Sequence, residues 1–83
     1  MDSDIGKLRW RCRRGMKELD LLLTRYVDEE YRDAAPDYRQ AFRRLLDCHD
    51  PLIYDYFLGR VSPRDAVLAS LIERITVKRS NDR

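Results

Sequence analysis

Apolar residues recur at three- and four-residue intervals along most of the chain, and the breaks in that rhythm divide it into five segments. Ile5, Leu8 and Cys12 form the first stripe, over residues 4–14, with Arg9, Arg11 and Arg13 on the other sides. Trp10 lies off the stripe; it is expected to cover the core from the rim, and the competing reading is an exposed aromatic awaiting a partner. Met16, Leu19, Leu22, Leu23, Tyr26, Val27 and Glu30 mark one face of a second helix, the strongest periodic signal in the sequence, and Leu21 sits beside that face, placed to touch a neighbouring helix. Asp28, Glu29 and Glu30 then give an acidic exit, unfavourable at the negative end of a helix.

Pro36 suits the first turn of a third helix with Tyr38, Phe42, Leu45 and Leu46 inward and Arg39, Arg43 and Arg44 outward. Asp50 followed by Pro51 predicts a cap and the start of a short fourth helix carrying Leu52, Ile53, Tyr54, Phe57 and Leu58, closed by Gly59. Ser62-Pro63-Arg64-Asp65 reads as a capping box for a last helix lined by Leu68, Leu71, Ile72 and Ile75. Strand alternation and hairpin turns are absent from the pattern. The expected fold is all-α: a single compact five-helix bundle spanning 1–83 as one domain, with an ordered core over 4–78 and a polar, disordered tail over 79–83.

The junction of the first two helices stands apart from this scaffold. In Arg13-Arg14-Gly15-Met16-Lys17-Glu18 an arginine-rich run meets a glycine and turns directly into the second helix. With Gly15 as the N-cap, Glu18 occupies the third helical position, from which its carboxylate reaches back to the Gly15 amide and favours the helix dipole. Arg14 has no comparable local role, because a cation at a helix start faces the positive end of the dipole. An exposed corner with Arg14, Glu18 and a bare Gly15 is therefore better explained by a partner than by the fold.

Charge adds little to that picture globally. Seventeen Lys and Arg against 15 Asp and Glu leave a formal net charge of +2, too small to drive binding to nucleic acid or membrane. The basic residues are mostly arginine, which favours forked pairing with carboxylates or phosphates over diffuse charge. Arg9, Trp10, Arg11, Arg13, Arg14 and Lys17 form a basic patch with one aromatic, a weak nucleic-acid signature, and the pI of about 8.7 falls below the range expected for such binders. Cys12 and Cys48 are too few for a disulfide framework and are expected to be reduced core thiols in a reducing compartment. The acidic start Met1-Asp2-Ser3-Asp4 is unlike a secretory signal, and no apolar run reaches the roughly 18 residues of a membrane helix, so a cytoplasmic protein without membrane insertion is expected.

One histidine and two separated cysteines cannot build a zinc site, and His49 next to Cys48 cannot serve it as a base, because adjacent helical residues do not face each other. The chain has no phosphate-binding glycine loop, nucleophile elbow or dinucleotide fingerprint. The residues give no argument for an enzyme, nor for a metal.

The run from Trp10 to Asp20 resembles the signature of the small factors that promote covalent attachment of FAD to the flavoprotein subunit of succinate dehydrogenase and fumarate reductase. The Arg-Gly-x-x-Glu hallmark falls on Arg14, Gly15 and Glu18, and the likeness continues through Leu45-Leu46-Asp47-Cys48-His49-Asp50-Pro51 and in overall length. The resemblance implies an assembly factor with no turnover of its own, a monomer that docks through Arg14, Gly15 and Glu18, and with them Trp10 and Arg13, on a flavoprotein subunit. It also implies that FAD belongs to that partner, with no cofactor stably bound here. The alternative is a small helical nucleic-acid-binding or toxin–antitoxin-type regulatory protein that uses the arginine patch.

Overall fold

A computed structural model describes the backbone of residues 2–80 and the side chains of residues 5–76. Five helices follow one another: α1 (Asp2–Arg11), α2 (Lys17–Glu29), α3 (Pro36–Leu46), α4 (Asp50–Leu58) and α5 (Ala66–Ser80), with a single 3-10 turn, Tyr31–Asp33, between α2 and α3. The described residues contain no strand, and the all-α five-helix bundle is the observed fold.

The core gathers one stripe from each helix. α2 supplies Leu19, Leu22, Leu23, Tyr26 and Val27, α3 supplies Ala41, Phe42, Leu45 and Leu46, and α5 supplies Leu68, Leu71, Ile72 and Ile75. The broadest helix–helix packing is α3 on α5, with α2 against both α1 and α5. Phe42 sits at the centre, its ring 4.9 Å from that of Tyr26 and 5.7 Å from that of Tyr31, both tilted. Leu8 and Cys12 close the α1 side, and α4 contributes only Ile53 as a fully buried side chain.

The helix ends explain where the expected boundaries shift. Gly59 closes α4 in the left-handed conformation at φ 78°, as the sequence predicts. Asp50 does not cap α4: His49 takes the cap position and Asp50 the first helical one. Likewise Ser62 is not the cap of α5; Asp65 is, accepting from the Val67 amide at 2.9 Å and pairing with Arg44 across the bundle. These two bonds hold its carboxyl below the usual range, the Arg44 contact contributing most. At the C-terminus α5 continues to Ser80, two residues past the expected end of the ordered chain, and the rest of the expected tail, 81–83, lies outside the described residues.

Three packing expectations are corrected. Trp10 is not a rim cover, being 70% exposed, whereas Leu21, 64% exposed, lies beside α1, sharing a shallow cleft with Gly6, Arg9 and Trp10. Leu58 is also exposed, because α4 is only nine residues long and presents a single position, Ile53, deep enough to be sealed. Tyr31 was absent from the sequence stripes yet is buried, the 3-10 turn folding it back on Phe42 while its hydroxyl accepts from Arg43 Nε at 3.0 Å.

Candidate functional site

The α1–α2 junction is built by backbone geometry and one carboxylate. α1 frays through bonds from the Cys12 amide to the Leu8 and Arg9 carbonyls and from the Arg13 amide to the Trp10 carbonyl. Gly15 then takes φ +86°, a conformation that side chains oppose, and Met16 becomes the extended cap of α2. Methionine has no oxygen with which to cap, and the amides ahead of the helix find another acceptor. Asp20, one turn into α2, accepts from the Arg14 amide at 2.8 Å through Oδ1 and from the Gly15 amide at 3.3 Å through Oδ2.

This arrangement corrects two expectations about the corner. Gly15 is not the N-cap, so Glu18 falls on the second helical residue, and the Gly15 amide that it was expected to bind is held by Asp20 instead. Glu18 remains half-buried in the first turn of α2, where its charge suits the helix dipole.

Arg14 is the larger correction. Its side chain is only 16% exposed and runs across the bundle to the α3–α4 connection. There one terminal nitrogen donates to the Leu46 carbonyl at 2.9 Å, the other to the Cys48 carbonyl at 2.6 Å, and Nε donates to the Asp50 carboxylate. The last carbonyls of a helix have no partner within it, and a cation is favoured there by the dipole. Arg14 therefore meets the negative end of α3 and, through Asp50, the positive end of α4. The unfavourable dipole considered from sequence belongs to α2, whereas the guanidinium reaches the end of a different helix, 32 residues along the chain.

Around this lock the remaining candidates form one surface. Trp10 and Arg13 stand together, the guanidinium carbon 5.5 Å from the ring centroid, in cation–π contact. They line a shallow cleft of about 420 Å³ with Gly6, Arg9, Asp20, Leu21 and Thr24. Asp20 thus faces the cleft and also holds the Arg14–Gly15 backbone, so the cleft and the glycine corner are contiguous. Gly15 is exposed, and a methyl group added to it would meet no heavy atom within 4 Å. The other arginines of the patch are engaged internally: Arg9 pairs with Asp28 at 2.8 Å and Arg11 with Asp47 at 2.5 Å.

The thiols near the corner are poorly suited to chemistry. Burial pushes Cys12 up to about 11, and Cys48, half-buried rather than in the core, is raised by burial and then by Asp47. Among the described residues no group of three or more His, Cys, Asp and Glu converges on a point that could hold a metal ion.

A family model described as the flavinator of succinate dehydrogenase matches residues 6–79. The chain belongs to the succinate dehydrogenase flavinator family. Among its relatives, a Coxiella burnetii protein named FAD assembly factor SdhE is 45% identical over 69 residues, covering 83% of this chain and 84% of the relative. Proteins of the same name from Methylococcus capsulatus and Idiomarina loihiensis are 44% and 42% identical over 73 and 70 residues, covering 88% and 84% of this chain and 88% and 78% of their own. The flavinator resemblance rested on two runs far apart in sequence, 10–20 and 45–51, and the structure joins them through Arg14. Asp20 and Asp50 escaped sequence reasoning as site residues although both stand inside those runs; only the fold shows that each is a partner of Arg14.

Proposed function

We propose that this protein is an assembly factor that binds the flavoprotein subunit of succinate dehydrogenase and promotes the covalent attachment of FAD to it. The observation that carries the reading is the flavinator match over residues 6–79, together with relatives named as FAD assembly factors across most of their length. The contact surface is the corner of Gly15 and Glu18, framed by Arg14 and extended by Arg13 and Trp10. Its exposed aromatic, bare glycine and cation give a partner both a flat approach and a specific one. The bond to FAD forms on the flavoprotein, and this chain contributes binding energy toward the flavoprotein conformation in which that bond forms, a population shift in the partner. On this reading the protein has no turnover of its own, holds no FAD stably, acts as a monomer in the cytoplasm and serves fumarate reductase by the same surface.

Two observations weigh on the alternatives. No helix among the described residues is long and apolar enough to cross a membrane. The ion pairs of Arg9, Arg11 and Arg14 with Asp28, Asp47 and Asp50 neutralise much of the patch charge on which a nucleic-acid binder would rely. Co-expression with the host flavoprotein subunit, followed by in-gel flavin fluorescence after denaturation, tests the proposal. Covalent flavin that rises with the factor present supports it; equal fluorescence with and without the factor refutes it.

A further inference from the structure

The Arg14 side chain is only 16% exposed and its guanidinium is spent within the fold. Three directions of its guanidinium are taken by the Leu46 carbonyl, the Cys48 carbonyl and the Asp50 carboxylate, and its backbone amide by Asp20. A side chain so enclosed offers little to a docking protein. Its effect falls instead on the backbone that it anchors: the residue that follows is Gly15, exposed, with φ +86° and open space above it. Asp20 fixes that backbone from the α2 side, and Asp50, through the guanidinium, fixes it from the α4 side.

We infer that Arg14 and Asp50 are a positioning pair: Arg14 does not touch the flavoprotein, and together with Asp50 it sets the pose of the Gly15 corner that does. The inference rests on the assembly-factor reading for the identity of the partner, and it assigns a functional role to Asp50, which stands outside the Arg-Gly-x-x-Glu motif. A fork-shaped donor is required, because a carboxylate and two carbonyls at different angles cannot all be reached by the single ammonium of a lysine.

The test is a double-mutant cycle of Arg14→Met, Asp50→Asn and the two combined. Affinity for the purified succinate dehydrogenase flavoprotein subunit is measured by calorimetry, and the Gly15 amide and Arg14 Nε–H resonances are followed by NMR in the free protein. A positioning pair predicts that each single change lowers affinity by about tenfold or more, and that the double change is no worse than Arg14→Met. It also predicts that the Gly15 amide resonance moves in every variant. If Arg14→Met does not fold, Arg14→Lys replaces it and should match Asp50→Asn. Wild-type affinity in Asp50→Asn beside a severe loss in the Arg14 variant would overturn the inference, since the guanidinium would then act on the partner directly; fully additive losses would do the same. An unmoved Gly15 amide in Asp50→Asn overturns it with no partner present, whereas a wild-type protein that fails to bind the subunit counts against the assembly-factor reading alone.

Discussion

Substitutions at Gly15 separate folding from recognition at one atom. The backbone there sits at φ +86°, and a Cβ would meet nothing within 4 Å, so the folding cost of any side chain comes from the left-handed backbone and not from a clash. That cost is about 1–2 kcal/mol, or roughly 4–16 °C in Tm for a domain of this size. Gly15→Ala and Gly15→Arg share the same Cβ and should lose the same stability. They should differ toward the flavoprotein subunit. Alanine adds one methyl to an open corner, whereas arginine lays a long charged chain over the proposed contact surface, a misfit of about 1–3 kcal/mol that corresponds to roughly five- to 150-fold in affinity. Urea unfolding followed by circular dichroism gives the first quantity and calorimetry with the purified subunit gives the second. If Gly15→Arg unfolds far more easily than Gly15→Ala, the corner is not open as described; if the two bind equally, Gly15 is a turn residue and nothing more.

Other substitutions test the neighbours. Asp20→Ala removes the acceptor of the Arg14 and Gly15 amides and should cost about 2 kcal/mol in urea unfolding, with Asp20→Asn recovering part of it; a loss near zero would mean that water caps these amides equally well. Glu18→Gln should lower stability by at least the dipole contribution, about 0.3–1 kcal/mol, while weakening the complex by about 2–5 kcal/mol if its carboxylate meets a cation on the flavoprotein; equal calorimetric affinity for variant and wild type removes Glu18 from the contact. Burial raises the Cys12 thiol from 9.0 to about 11, so the folded chain keeps a proton that the unfolded chain releases, and about 2–3 kcal/mol of stability, fully present below pH 9, is lost as pH rises toward 11. Tyr26, raised by burial from 10.0 to about 12, acts in the same direction. Urea midpoints under reductant should fall across that window, and a flat profile would contradict the burial of both groups.

Local signals in the sequence were sufficient for the scaffold. The α2 and α5 stripes, the α3 stripe apart from Tyr38, which lines a surface cleft instead of the core, Pro36 at a helix start and Gly59 at a helix end are written in three- and four-residue spacing and in backbone preference, and appear where they were expected. What spacing cannot express is the direction of a long side chain after the chain has folded. Arg14 was judged against the helix that it precedes and proved to serve the end of α3, since nothing in the residues around it names a carbonyl 32 positions away. Asp50 and Asp65 each carried a capping signal, yet Asp50 moved one place into α4 to meet Arg14 and Asp65 took the cap expected of Ser62. Trp10 misled for a simpler reason: α1 is too short to bury more than one stripe, and Leu8 and Cys12 already fill it.

The contacts of Arg14 span 32, 34 and 36 residues, and contacts of such sequence separation form late, once the intervening chain has paid its loop-closure entropy. On a growing polypeptide the Arg-Gly-x-x-Glu stretch emerges early, but its shape is not complete until the first turn of α4 has followed it. A chain truncated ahead of Asp50 would carry the motif as letters without the geometry. On the proposed docking at the Gly15 corner, the partner would read the state of folding along with the sequence, and a half-made chain would be discriminated against without any separate checkpoint.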